Sequence, residues 1–199
     1  MTLGIAIPCY VGHIEDLKRL LYSISQSTVL PNQVSVSIST SSGELHFEKY
    51  PFELLISQSP NLKNPCENRN TAGKRLSTDI ISFIDADDIS HIKRNEYLLE
   101  AFKLGAKAVH HNYLWHPDYN QNFHISDIGD FEYYPINPFE FHGASSHISL
   151  LKKIFDIHQY DESIGWDCGE DTEYNLRILS NGIEFSYIKN KLSQYVQDF

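Results

Sequence analysis

Three carboxylates, Asp85, Asp87 and Asp88, crowd the end of a short apolar run in the stretch from Asp79 to Asp88. Carboxylates this close repel one another, and proteins tolerate them mainly where a cation or a basic partner offsets the charge. Hard oxygen donors of this kind suit Mg²⁺ or Mn²⁺ better than zinc. A second acidic pair, Glu170-Asp171, follows Gly169 where a helix is predicted to begin. The positive end of a helix favours an ionised side chain. A carboxylate held ionised can take a proton from an incoming hydroxyl once it lies within hydrogen-bond reach. The chain therefore offers two chemistries, a cation clamp and a general base.

The elements that would position these groups can be read around them. Ile80, Ile81, Phe83 and Ile84, interrupted only by Ser82, have the pattern of a strand buried on both faces in a mostly parallel sheet. Ligands of such sheets bind in the crevice at the carboxyl ends of the strands. Upstream, Leu3 to Pro8 reads as a first strand, and Ile14, Leu17, Leu20, Leu21 and Ile24 recur with helical spacing. Alternation at Val34, Val36 and Ile38 gives a second strand, and Phe52 to Ile56 a third. Pro65 suits the first turn of a helix running to about Leu76.

Downstream, a helix is predicted over His91 to Leu104, closed by Gly105, with a strand over Ala106 to Leu114. Trp115 to Phe141 has no clean period and reads as a long functional loop or a lid. Ile148, Leu151, Ile154 and Phe155 predict a helix from Ser146, and Glu170 to Ser180 another that ends before Gly182. Phe185 to Ile188 reads as the last strand, with no assignment for Lys189 to Phe199. Strands alternating with helices imply a three-layer α/β domain.

The 199 residues fit one domain with a real core. A net charge of −10 argues against nucleic acid, whose phosphates need a basic face, and a polyanionic ligand would arrive with a metal. No signal-peptide pattern or membrane-length apolar stretch is present, so the expectation is a soluble, cytoplasmic chain. Cys9, Cys66 and Cys168 lack any paired spacing and point to neither a disulfide framework nor a zinc site.

Several readings of the acidic cluster stand beside one another. In one, Asp87 ligates a divalent cation that clamps a nucleotide diphosphate. In another, Asp85-Ala86-Asp87 resembles the motif of haloacid-dehalogenase phosphatases, with an aspartyl nucleophile, although those enzymes carry it on the first strand. A calcium loop fits poorly, because Ser90 stands where glycine is needed. The structural alternative is an acidic turn in which Asp88 or Ser90 caps the next helix.

Taken in order, Ile5 to Tyr10, Asn68-Arg69-Asn70, Ile81 to Asp88 and Gly169-Glu170-Asp171 resemble the motifs of the family 2 glycosyltransferases of GT-A fold, which use nucleotide-sugar donors and invert the anomeric centre. The fourteen residues between Asn70 and Asp85 match the family's usual interval. The resemblance implies a Rossmann-like α/β/α sandwich with a mixed central sheet, residues 1–88 forming a nucleotide-binding half and 89–199 an acceptor-side half. It places Pro8, Tyr10 and Ser39 around the base, Arg69 and Asn70 near the donor, and Asp85 and Ala86 at the ribose or sugar. Asp87, with Asp85, would hold Mn²⁺ or Mg²⁺, and Asp171 would be the catalytic base.

Glu170, Trp166 and His147 fall on the acceptor side in this reading, with Trp166 a platform for a sugar ring. The implied partners are a nucleotide-sugar donor, a UDP-sugar first among them, and a carbohydrate or other hydroxyl acceptor. A partner domain or a homodimer would complete the site. The alternative outside catalysis is a nucleotide-sugar binding module. Two departures stand out: Ser39-Thr40-Ser41-Ser42 where the family carries a base-reading aspartate, and Ala72 where it usually has glycine, with Gly73 one position later.

Overall fold

The computed structural model describes residues 1–116, 119–120, 122–136, 147–166 and 169–196. In chain order the elements are β1 (Leu3–Tyr10), α1 (Ile14–Ser25), β2 (Gln33–Ser39), β3 (Glu53–Gln58), α2 (Pro65–Lys74), β4 (Ile80–Phe83) and β5 (Ile89–Ser90). Then come α3 (Arg94–Lys103), β6 (Ala108–His116), β7 (Tyr133–Ile136), β8 (Ser149–Leu151), α4 (Lys152–Ile157), α5 (Glu170–Ser180) and β9 (Phe185–Val196). They build one mixed sheet in the order β3-β2-β1-β4-β8-β6-β9-β5, with β7 also paired to β9. β3, β2, β1 and β4 are mutually parallel, and β8 runs antiparallel between β4 and β6.

Alternation along the strands divides the core into layers. Ile5 and Ile7 of β1 pack with Leu17, Leu20, Leu21 and Ile24 of α1, while Ala6 faces the other way, with Ile81 and Phe83, toward α2, α4 and α5. A third cluster seats Leu98, Ala101 and Phe102 of α3 under Leu3, Ile80, Val109 and Ile188. Complete burial of each such side chain contributes about 1.5–3 kcal/mol, enough in sum to fix both faces of the sheet. Gly73 lets α2 come close: a Cβ there would lie 2.6 Å from the Phe155 ring. The three-layer α/β/α sandwich with a mixed central sheet is as the sequence reading expects.

Four segments differ from expectation. Ser149–Leu151 is strand rather than helix, and the helix starts only at Lys152. The apolar spacing there is misleading because Leu150 sits inside a strand flanked on both edges, with the buried Ile148 just before it. The helix expected from His91 begins at Arg94, because Ile89–Ser90 pairs with β9 and His91 N–H donates to the Leu192 carbonyl. β9 continues to Val196 through the stretch left without assignment. Trp115 and His116 belong to β6, Phe123 is buried beside Ile89 and Val196, and Tyr133–Ile136 forms β7. The described part of the expected lid is thus packed on the sheet. Within that segment residues 117, 118, 121 and 137–141 lie outside the described residues, as do 142–146, 167, Cys168 and 197–199. Among the described residues no helix is long and apolar enough to cross a membrane.

Candidate active site

A cavity of about 560 Å³ opens at the carboxyl ends of β1, β2 and β4. The chain leaves β1 toward β2 on one side and β4 lies on the other, the arrangement that creates a crevice in open α/β sheets. Pro8, Cys9 and Tyr10 of β1 form its floor with Ser39 of β2, and His13 follows on the short turn after β1. Leu62, Lys63, Pro65, Asn68 and Arg69 come from the loop before α2 and from its first turns. Asp85, Ala86 and Asp87 arrive from the end of β4, with Trp166, Glu170 and Tyr195 on the far side.

The start of α2 is set locally. Asn64 Oδ1 accepts from Glu67 N–H at 2.9 Å, Asn64 N–H donates to Glu67 Oε2 at 2.8 Å, and Pro65 occupies the first turn. This reciprocal cap fixes where the helix begins, and with it the face on which Asn68 and Arg69 are buried against the sheet.

Arg69 is the hub of the site. Its guanidinium donates to Asp85 Oδ1 and Glu170 Oε1, both at 3.0 Å, and lies 3.4 Å from Asp171 Oδ1. The Tyr160 ring sits 5.5 Å from the guanidinium carbon, in cation–π range. Burial opposes the Arg69 charge, yet Asp85, Asp171, Tyr160 and Glu170 outweigh it and hold its pKa well above the usual value. One cation shared by three carboxylates leaves negative charge in surplus. The Asp171 carboxyl is accordingly pushed up to about 6, first by burial and further by Asp85 and Glu170, against the pull of Arg69. Asp171 Oδ1 is a buried oxygen with no hydrogen-bond partner among the described residues.

Asp87 is pushed up to about 6 as well, by burial and then by Asp88 and Asp85. Among the described residues its ion-pair partner is the half-exposed His13, at 3.9 Å. Asp88 faces inward instead: its carboxylate bonds to His147 Nε2 at 2.5 Å and accepts from Val196 N–H at 3.2 Å, while His147 Nδ1 meets Ser193 Oγ at 2.8 Å. Asp88 therefore ties the acidic turn to His147, just before β8, and to β9, and it does not cap α3, which has Lys93 at its N-cap without a side-chain bond. Asp85, Asp88 and His147 have potential metal-ligand atoms within 4.8 Å of one another. Burial pushes the Cys9 thiol up to about 12, which removes it as a nucleophile at neutral pH.

Of the residues singled out from sequence, Pro8, Tyr10, Ser39, Arg69, Asp85, Ala86, Asp87, Trp166 and Glu170 all line this cavity. Three do not. Asp171 stands beside the guanidinium of Arg69, at 3.4 Å. Asn70, expected at the donor, is buried and spans the Tyr160 backbone, its amide donating to the Tyr160 carbonyl and its oxygen accepting from the Tyr160 N–H, both at 2.9 Å. His147, expected at the acceptor, is completely buried. Sequence reading missed His13, Lys63, Asn68 and Tyr195. Asn68 stands inside a motif that was noticed, and the other three carry no local pattern.

The mixed sheet covered on both faces, with a carboxylate-lined crevice at the ends of its parallel strands, is consistent in architecture with a GT-A fold. Solved structures agree at the level of fold. The chain aligns with S. aureus TarS 1–349 at a TM-score of 0.75 and 13% identity, covering 98% of this chain and 60% of that one. For the same protein in complex with UDP-GlcNAc the values are 0.76 and 12%, with 100% and 59% covered. A further TarS structure holds UDP, with a TM-score of 0.75 and 12% identity over 100% of this chain and 61% of that one. The chain thus spans about three fifths of these TarS structures. No protein-family model matches it, and no curated protein matches it by sequence.

Proposed function

We propose that the chain is a metal-dependent, inverting glycosyltransferase of the family 2 kind, moving a sugar from a nucleotide-diphosphate donor to an acceptor hydroxyl. The observation that carries this is the surplus of carboxylates at the crevice: Asp85, Glu170 and Asp171 share one guanidinium while Asp87 faces the same cavity. Such a site rejects a bare diphosphate and accepts one that brings a divalent cation. Asp87 and Asp85 fit Mn²⁺ or Mg²⁺ by donor type. A bound ion there would supply positive charge to the departing diphosphate.

The Asp88–His147 pair stands behind this site as a support for the turn. Two ligand atoms at right angles on an ion at about 2.1 Å would be about 3 Å apart, so the 2.5 Å approach of these two is that of a hydrogen bond. Arg69 orients Asp85 and Glu170, Trp166 offers a ring face at the cavity mouth, and Asp171, beside Arg69 and next to the lining residue Glu170, is assigned the proton of the acceptor hydroxyl from its place in the Gly169-Glu170-Asp171 motif. In this reading residues 1–88 hold the nucleotide and 89–199 form the acceptor side. The UDP and UDP-GlcNAc complexes of TarS make UDP-sugars the first donors to test. The phosphatase reading has less support, because its nucleophile, Asp85, is held by Arg69.

The test is Asp171→Asn assayed with a panel of UDP-sugars and Mn²⁺. Donor binding persists and both transfer and slow donor hydrolysis disappear. Retained turnover would remove Asp171 from the base role, and release of phosphate from simple phosphomonoesters would restore the phosphatase.

A further inference from the structure

The two ends of the cavity differ in chemistry. The end over β4 is acidic, with Asp85, Asp87 and Glu170, whereas the end over β2 carries Tyr10, Ser39, Leu62, Lys63 and Asn68 and, among the described lining residues, no carboxylate. A nucleoside diphosphate lying along the crevice puts its phosphates and cation at the acidic end and its base at the other. Tyr10 is 47% exposed there, a ring face on which a base can stack. Gly12 leaves that ring its place, since a Cβ on Gly12 would come within 2.7 Å of it.

Hydrogen-bond recognition at this end falls to few groups. Lys63 Nζ donates to Thr71 Oγ1 at 3.0 Å, and Ser39 Oγ turns back toward the Cys9 carbonyl at 3.5 Å. Asn68 is only 5% exposed, and its Oδ1 accepts from Ser37 Oγ at 2.9 Å. With the amide oxygen held by β2, the amide N–H groups are what Asn68 offers the cavity.

We propose that Asn68, locked by Ser37, reads the donor base through its amide N–H groups, so that uridine and cytidine diphosphates bind with similar strength. The inference rests on the nucleotide-sugar reading and goes beyond it in naming the base class. Uracil O4 and O2, and cytosine N3 and O2, are all acceptors for an amide donor. The two bases differ at N3, which carries a proton in uracil and a lone pair in cytosine. A carboxylate facing N3 would separate them by accepting from the first and repelling the second, and this end has none. Sites that hydrogen-bond a polar edge lose most when that partner is removed, because the buried group is left unpaired.

The experiment is calorimetric titration of the full chain with UDP and with CDP in the presence of Mn²⁺. Wild type binds the two within about tenfold, Asn68→Ala weakens both by about tenfold or more, and Asn68→Asp favours UDP over CDP by about tenfold or more. Should Asn68→Ala not fold, Ser37→Ala, which frees the amide, replaces it with the same expected loss. A wild-type preference above about tenfold, or unchanged binding in the Ala variant, overturns the inference. Failure of both nucleotides to bind wild type overturns the nucleotide-sugar reading itself, a different outcome.

Discussion

Two arginines are buried almost equally in this chain and serve opposite ends. Arg69, 4% exposed, meets Asp85, Glu170 and Asp171, and its charge is reinforced. Arg94, completely buried on α3, has no carboxylate in ion-pair range among the described residues. It is held by Ser82 Oγ at 2.8 Å, the Phe83 carbonyl at 2.9 Å and His111 Nε2 at 3.2 Å. Burial pushes its pKa down to about 9, with Asp88 opposing. Around Arg94 the polar groups are neutral and close on one another, and burial with Arg94 nearby holds His111 well below its usual range. Around Arg69 they are charged, unequal in number, and open to a cavity. Arg94 staples strands through Nε and Nη2, with its Nη1 left without a hydrogen-bond partner among the described residues, whereas the carboxylates around Arg69 leave surplus charge facing a cavity.

Substitutions that remove each arginine should break this comparison most visibly. Arg69→Met leaves three carboxylates without their cation, so transfer is lost and unfolding in urea shows a destabilisation of about 3–5 kcal/mol at neutral pH. That deficit shrinks as pH falls and the carboxylates protonate, for stability then no longer depends on their pairing. Arg94→Met costs about 1–3 kcal/mol through unpaired acceptors, with no comparable recovery in acid. Equal pH dependence in the two variants would erase the distinction drawn between them.

Asp171→Asn sharpens it from the other side. Turnover drops by about 10²–10⁴-fold in a coupled UDP-release assay, while the melting temperature rises. A carboxyl raised in the folded state to about 6 from 3.8 contributes stability that is fully present below the unfolded value and is lost as pH climbs through about 6. Replacing it with a neutral amide recovers about 1–2 kcal/mol at neutral pH, after allowance for the lost Arg69 contact. In the base role proposed for Asp171, kcat/KM of the wild type rises with pH through about 6, because a base acts only when unprotonated. An acid limb that persists at the same pH in the residual activity of Asp171→Asn would assign it to another group.

The smallest effect is expected at the cavity mouth. Trp166 is 64% exposed, so Trp166→Ala changes stability by no more than about 0.5 kcal/mol. It raises the acceptor KM while leaving UDP affinity unchanged in titration.

Much of this site was legible before folding. The four motif stretches come together at one crevice because each ends a strand or opens a helix on the same edge of the sheet. The acidic turn, Arg69 and Glu170 then fall within hydrogen-bond reach of one another. What misled were segments whose periodicity was weak or ambiguous. Ile148, Leu151, Ile154 and Phe155 have helical spacing, but the space between β4 and β6 makes the first part a strand. Asn70 adjoins Arg69 in the chain and yet turns away to hold Tyr160, since neighbouring positions on a helix point to different faces.

By itself, the order of apolar runs, turn residues and carboxylates determined an α/β sandwich and the strand end at which its charges would gather, because alternation and helical period are local properties of the chain. Only the tertiary structure decided how those charges are divided. It set Asp88 inward against His147, left Asp87 and Glu170 at the cavity, and placed Asp171 partly buried beside a guanidinium it must share. Such a division depends on which side chains meet across the sheet, over separations of up to a hundred residues and more, and on how much water each one loses in doing so.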